Sequence, residues 1–393
     1  MRILLANFSK MVGDTGGAAK VHCNFANVMQ QRGHDVAMVY SDDNQGECFF
    51  PVNKEVRQYN INHYNGHNYT FPLSYRIRRE ILRVFSRKLA SAVNDDFIKD
   101  YLLDNVKAIL DKENPDIIIA FQPAAAKVYV QDIKTDIPII LMCHGEAEDW
   151  FHSYPDKQVK AIKDCDVVQV LMPSFREAVT KRYPNTKTVV IGNVVPQFEK
   201  EEIANHVGRH KIIFIGRLAR NHKRPHLLLE AFIPMASKYP DWDVEIWGKE
   251  HSRGYAEEMK SKIDGANLQD RIKIMGTTHD VESVLRQGDI FVFPSAYEGF
   301  GLTIAEGMSV GLPAVAYASC PAVNELVHDG VDGFLVEDGV EPLRDKMELL
   351  MSDKDLRVKI GTAAHEAMKE YSDDKIWDTW EKLIQGTVNK KDS

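Results

Sequence analysis

One pattern constrains this chain more than any other: short apolar runs alternate with amphipathic helical stretches, and the series starts twice. Residues 2–8 form an apolar run, a glycine-bearing turn follows, and a helical stretch covers residues 18–31 until Gly33 stops it. Residues 36–40, 116–121, 137–143, 167–172 and 188–191 are further short apolar runs with Pro or Gly punctuation. Continuous runs of this kind are what strands buried on both faces of a parallel sheet require. After Pro196 the series restarts. Residues 196–210 are polar and weakly patterned, as a linker is. A strand over 211–215 then ends at Gly216-Arg217, a helix is predicted over 225–239, and strands over 244–247, 272–275, 290–293 and 314–318. The expectation is an α/β protein of two Rossmann-like doubly wound domains, residues 1–195 and 211–370, facing each other across a cleft, with a C-terminal helix and tail over 371–393. Ligands of such sheets bind beyond the C-terminal strand ends.

Length and composition agree. A chain of 393 residues exceeds one ordinary core, and 44% hydrophobic with 27% charged residues is a soluble, globular balance. The net charge of −8 argues against nucleic acid as a partner. Five scattered cysteines, none in a C-x-x-C pair, fit a reduced cytoplasmic compartment and give neither a disulfide frame nor a zinc site. The apolar start at residues 1–6 is too short for a signal peptide and reads as a buried strand. No run approaches the roughly 20 apolar residues of a membrane span.

The most telling chemical feature is the run Glu298-Gly299-Phe300-Gly301-Leu302-Thr303-Ile304-Ala305-Glu306. It reads as a loop feeding a helix that stops at Gly311, with Pro313 beyond. A glycine-bearing loop at a helix N-terminus offers free N–H groups and the positive end of the helix dipole, which suits phosphate. The flanking carboxylates would repel phosphate but accept hydrogen bonds from hydroxyls. Helical side chains lean toward the N-terminus, so Glu306 can reach back to ribose hydroxyls, while Glu298 on the loop can reach a sugar beyond a diphosphate. Hydroxyls on both sides of a diphosphate describe a nucleotide sugar. An acid merely complementing the helix dipole would account for one glutamate, not for the Gly-Phe-Gly loop between two.

Other segments gain meaning beside that loop. Gly16 and Gly17, between the first strand and its helix, let backbone approach a ligand, although they do not form the G-x-G-x-x-G fingerprint. Arg217 ends the strand that opens the second domain, and Lys223 follows with Arg224 beside it, a fork and a point charge suited to a diphosphate. His144 follows the strand at 137–143 and could hydrogen-bond a sugar hydroxyl or meet developing charge, with Glu146 and Asp149 in the next loop as acceptor-side candidates. Asp164-Cys165-Asp166 and Asp241-Trp242-Asp243 imitate the D-x-D of metal-dependent sugar transferases. Both precede strands, the wrong end of the sheet for a ligand, so no catalytic metal and no other cofactor is expected.

Two segments bear on partners and architecture. Residues 75–90 carry Arg76, Arg78, Arg79, Arg83, Arg87 and Lys88 against Glu80, with Ile77, Ile81, Leu82, Phe85 and Leu89 supplying an apolar face. Such a helix lies peripherally on an anionic membrane, here the inner face of the cell membrane, or is a solvated helix of the first domain; the sequence does not choose. In the tail, Ile376, Trp377, Trp380, Leu383, Ile384 and Val388 share one helical face. Spacing alone leaves open whether that face docks across both domains or on one.

The run from Phe293 to Gly311, with Gly216-Arg217-Leu218, Lys223 and Gly16-Gly17, resembles glycosyltransferase family 4, retaining nucleotide-sugar glycosyltransferases of the GT-B architecture. The likeness spans nearly the whole chain and is weakest at 49–114. It implies that Gly16 and Gly17 approach the donor, Arg217 and Lys223 neutralise its diphosphate, Glu298 binds the donor sugar and Glu306 the ribose. Backbone N–H groups at Phe300, Gly301, Leu302 and Thr303 would hold the distal phosphate, Thr277 in the loop 276–280 would lie by the base, and His144 would sit near the sugar's 6-hydroxyl. His144, Arg217, Lys223 and Glu298 would carry catalysis without a metal. The resemblance also implies a UDP-sugar donor, by family frequency, and a terminal helix that crosses back to the first domain.

The leading expectation is transfer of a hexose or N-acetylhexosamine to a surface polysaccharide, lipopolysaccharide or lipid-linked glycan. A nucleotide-sugar epimerase of related fold and a catalytically inactive sugar-nucleotide-binding protein are the alternatives. Donor sugar, acceptor, linkage and oligomeric state are not legible in the residues.

Overall fold

The computed structural model describes residues 1–14, 16–198 and 208–389, so Thr15 of the first glycine turn, most of the expected linker at 196–210 and the last residues of the tail lie outside the described residues. The chain divides into two compact units, Met1–Ile191 with Trp377–Ser393, and Gly192–Ile376.

The first unit holds strands β1 (Arg2–Asn7), β2 (Asp35–Tyr40), β3 (Arg57–Asn60), β4 (Ile117–Ala120), β5 (Ile139–Met142), β6 (Val167–Val170) and β7 (Thr188–Val190). They form a parallel sheet in the order β3-β2-β1-β4-β5-β6-β7. β1 and β4 are neighbours although β2 and β3 separate them in sequence, so the order reverses there. That reversal is the switch point at which doubly wound sheets open a crevice. Helix α1 (Gly17–Gln31) buries Ala19, His22, Cys23, Phe25, Ala26 and Met29, one face at helical spacing.

From Trp377 onward the closing helix, Asp373–Val388, belongs to this unit. Trp377 and Trp380 meet the Phe25 ring edge-on with centroids at 5.3 and 5.0 Å, and Arg32 pairs with Asp378 and Glu381, each at 2.8 Å. Edge-to-face rings add roughly 0.5–1.5 kcal/mol per pair beyond burial. The apolar stripe of the tail thus returns to α1.

The second unit repeats the plan with β8 (His210–Ile215), β9 (Trp242–Trp247), β10 (Ile272–Gly276), β11 (Ile290–Phe293), β12 (Ala314–Tyr317) and β13 (Gly333–Val336), in the order β10-β9-β8-β11-β12-β13. Its switch point lies between β8 and β11, where Ile212 is level with Ile290. The loops after those two strands are the ones that carry Arg217, Lys223 and Glu298.

Three departures from the sequence reading have physical causes. β3 (Arg57–Asn60) is a polar edge strand without an apolar run; Arg57 and Tyr59 are held there by the buried Glu113 carboxylate. The helix predicted over 225–239 ends at Phe232, and a short 3-10 turn covers Ile233–Met235. Pro234 has no N–H and its ring clashes with the preceding turn, so the helix cannot continue. β9 starts at Trp242, earlier than predicted, because the indole is fully buried and stacks on His210 at 4.7 Å.

Candidate functional site

In the second unit the site begins with three glycines at neighbouring strand ends. Gly216, Gly248 and Gly276 follow or close β8, β9 and β10, and Gly248 N–H donates to Gly276 O at 2.6 Å. A Cβ on Gly248, at φ +152°, would stand 1.8 Å from Gly216 O. The backbones approach too closely for any side chain, which fixes the turn that presents Arg217. The Arg217 side chain is exposed and its positive charge reaches His222.

Lys223 is buried and points inward. Its Nζ lies 2.5 Å from Glu298 Oε1 and 4.6 Å from the centre of the Phe293 ring. The two partners called separately for diphosphate and sugar are therefore bonded to each other. Ser295 Oγ donates to the same Oε1 at 2.6 Å, and His222 Nε2 stands 3.7 Å away. All of these contacts converge on Oε1. Lys223 keeps two more N–H donors for an anion.

Arg224, beside Lys223, is engaged with the loop after β11. It sits at φ +49° with its guanidinium on Pro294 O at 2.8 Å, Ser295 O at 3.1 Å and Asp338 at 3.0 Å. It braces the loop that carries Glu298. His222 and Ser295 went unnoticed in the sequence. His222 stacks on Tyr297 with centroids at 4.2 Å and donates through Nε2 to Tyr297 O at 2.9 Å. A carbonyl only accepts, so the proton is on Nε2, and burial holds the imidazole below its ordinary pKa. Burial also pushes the nearby Cys320 thiol up to about 12, which removes it as a nucleophile.

Past Glu298 the helix Leu302–Ser309 starts at Gly301, which has φ +90° and gives no side-chain cap. Its first N–H groups have no carbonyl partner within the helix. Thr303 Oγ1 is buried and without a hydrogen-bond partner, one residue inside that N-terminus. Phe300 is buried, edge-on to Tyr371 at 5.2 Å, and so anchors the loop rather than exposing its ring. Glu306 is buried one turn further on. Thr277 is exposed in the loop after β10, where Asp280 caps the next helical turn through Ser283 N–H at 2.9 Å.

In the first unit Gly16 precedes α1, and its N–H donates to Asp14 Oδ1 at 2.8 Å. A Cβ on Gly17 would meet open space, so that turn leaves room for a ligand. His144 follows β5 and lines a cavity of about 240 Å³ with Phe121, Gln122, Glu146, Asp149 and Tyr154. His144 Nε2 and Gln122 Nε2 are both buried without a partner. Desolvation lowers the His144 pKa to about 4, so at neutral pH the ring is uncharged and suits a hydroxyl, not a developing negative charge. Glu146 is shifted upward by burial and by Asp149. His22 is a further residue the sequence did not betray: a histidine on the apolar face of a helix reads as core. Its ring lies 4.3 Å from Phe121, both nitrogens lack partners, and burial with the neighbouring His144 lowers its pKa to about 3.

The two D-x-D runs are occupied structurally. Asp166 accepts from Ile139 N–H at 2.8 Å at the entry of β6, and Asp243 pairs with Arg209 at 2.6 Å.

Residues 195–367 match the glycosyl transferases group 1 family. An uncharacterized glycosyltransferase of Haemophilus influenzae is 23% identical over 384 residues, covering 96% of this chain and 98% of that protein. The lipopolysaccharide core biosynthesis mannosyltransferase LpsB of Rhizobium meliloti is 29% identical over 198 residues, 47% of this chain and 56% of LpsB. The crystal structure of an S. aureus TarM mutant in complex with Fondaparinux, alpha-GlcNAc-glycerol and UDP superposes with a TM-score of 0.72 at 17% identity, covering 98% of this chain and 100% of that one.

Proposed function

We propose, from the premise that the chain has the GT-B fold and carries a glycosyl transferases group 1 domain, that it is a retaining, metal-independent glycosyltransferase of family 4. It takes a hexose or N-acetylhexosamine from a UDP-sugar to a surface polysaccharide, lipopolysaccharide or lipid-linked glycan. The observation that carries this reading is the arrangement around Glu298. One carboxylate oxygen is fixed by Lys223 and Ser295, and an uncapped helix start with the unpartnered Thr303 hydroxyl follows within five residues. LpsB, whose name places it in lipopolysaccharide core synthesis, and the TarM complex, which holds UDP, support the choice of acceptor class and nucleotide.

The chemistry follows from charge. The bond from the anomeric carbon to the diphosphate oxygen breaks with its electron pair leaving on the diphosphate. Arg217, Lys223 and the first N–H groups of the Leu302–Ser309 helix stabilise that growing charge more than they stabilise the ground state. Glu298 orients the sugar through its hydroxyls and Glu306 the ribose. The acceptor oxygen bonds to the anomeric carbon on the face the diphosphate leaves, and its proton passes to the departing phosphate.

The test is release of nucleotide from a panel of nucleotide sugars by wild type, Glu298→Ala and Arg217→Ala. The reading predicts release from one donor and its loss in both variants. Equal release by all three would sink the site assignment. A thermal-shift screen of the same panel identifies the donor, since a ligand of the native state raises the melting temperature by mass action.

A further inference from the structure

In the first unit, α2 (Leu73–Phe85) carries one face that no described residue covers. No residue of this helix is buried. Its back face, Tyr75, Arg79 and Leu82, rests on α3 (Arg87–Phe97): Tyr75 lies edge-on to Phe97 at 6.2 Å and its hydroxyl donates to Asp100 at 2.6 Å. The opposite face carries Leu73, Ile77, Ile81, Val84 and Phe85, between 52% and 82% exposed. At 100° per residue these five fall within one arc of about 120°. Arg78 borders the arc on one side, Arg76 and Arg83 on the other, and Arg87 continues the basic border beyond the C-cap.

A stripe of large aliphatic side chains in water is costly, at about 25 cal/mol per Å² of apolar surface left uncovered. Something covers it, and the flanking charge says what. Residues 75–90 hold six cations and one acid in a chain of net charge −8. Several cations have local partners: Arg83 with Glu80 at 2.8 Å, Arg78 with Asp96 at 2.9 Å, and Arg76 on the Phe71 carbonyl at 3.0 Å. These bonds are exposed, and exposed pairs are worth little, so they exchange readily for another anion. A second copy is a poor occupant. A two-fold contact through this face would set each basic border against its own copy.

We propose that α2 is an interfacial anchor that lays its apolar arc into an anionic lipid surface, with Arg76, Arg78, Arg83 and Arg87 on the lipid phosphates. At 13 residues it is about 20 Å long, and it lies in the plane of the interface. Among the described residues no helix is long and apolar enough to cross a membrane. The anchor would hold the enzyme where a lipid-linked acceptor is found. The proposal does not depend on the reading of the donor site, because its test uses no nucleotide sugar.

The experiment is co-sedimentation of the full chain with vesicles of phosphatidylglycerol and phosphatidylcholine in equal parts, and with phosphatidylcholine alone. Wild type is expected to sediment with the anionic vesicles and to be released by salt, since the Debye length shrinks to about 3 Å at 1 M. Neutralising Arg76, Arg83 and Arg87 to Gln should lower partitioning roughly a hundredfold, at about fivefold per charge. The triple variant Ile77→Ser, Ile81→Ser, Val84→Ser should abolish it, whereas Val331→Ser, an exposed aliphatic of the second unit, should change nothing. In Phe85→Trp, bromine-labelled lipid should quench the added indole. Failure of wild type to bind, unchanged binding by the serine variant, or an indole untouched by brominated lipid would overturn the proposal. So would a wild-type dimer that the serine variant dissociates in the absence of vesicle binding.

Discussion

Lys223 Nζ stands 2.5 Å from Glu298 Oε1, with both side chains about nine-tenths buried. Each is the other's counter-charge before any ligand arrives. Removing one partner leaves an uncompensated buried charge, which costs roughly 3–5 kcal/mol. Glu298→Ala and Lys223→Ala should each lose stability on that scale in urea unfolding. The double variant should lose less than the sum, because no orphaned ion remains. Strict additivity would mean that the pair is not coupled in solution.

Arg217 makes the opposite prediction. Its side chain is exposed and is not needed to close the fold. Arg217→Ala should melt with wild type yet lose on the order of 10²–10³ in nucleotide release, the scale of removing one preorganised donor at a developing anion. Arg217→Lys should recover part of it, since a point charge replaces a fork. Wild-type release by Arg217→Ala would remove this residue from the mechanism.

Acid should weaken the first unit through His22 and His144. Both ordinary pKa values of 6.5 are lowered in the folded state, to about 3 and about 4, by burial first of all. Above pH 6.5 both states are neutral at these groups and nothing is lost. As pH falls from 6.5 toward 4 the unfolded chain binds protons that the folded one refuses. Stability therefore declines by up to about 1.4 kcal/mol per pH unit for each histidine. His22→Leu should shed one of those contributions, which urea unfolding measured across that window would show as a shallower slope. An unchanged slope would mean that His22 is protonated in the folded protein.

How much of this was legible in the sequence depends on the kind of signal. Strands buried on both faces announce themselves, and β1, β2, β5 and β11 fall close to where apolar runs put them. β3 was hidden because an edge strand held by Arg57 and Glu113 has no apolar run to show. The Glu298 loop was legible because glycines and acids at fixed spacing are local chemistry. The bond from Lys223 to Glu298 was not, since 75 residues separate its ends and only the β8–β11 adjacency brings them together. His22 was hidden for the reverse reason: it obeys the apolar periodicity of α1, and its unpartnered nitrogens exist only in three dimensions. The α2 arc lay between these cases. Its composition was plain, but whether a neighbour covers it is a tertiary fact.

The backbone contact between Gly216 and Gly248 gives the sharpest structural prediction. Gly248 has φ +152°, a region that side-chain-bearing residues rarely enter, and a Cβ there would lie 1.8 Å from Gly216 O. Neither backbone can give way freely: Gly216 N–H donates to Trp247 O at 2.9 Å, and Gly248 N–H to Gly276 O at 2.6 Å. Gly248→Ala must therefore break a strand-end hydrogen bond and adopt a strained φ as well. The combined cost should be roughly 3 kcal/mol or more, from lost pairing and backbone strain. Because the displaced turn carries Arg217, nucleotide release should fall together with the melting temperature, unlike the stable Arg217→Ala. Gly265→Ala, in a helix of the same unit where a Cβ meets open space, is the control and should melt at or slightly above wild type. If Gly248→Ala melts with that control, the close approach of the two strand ends is not a feature of the protein in solution.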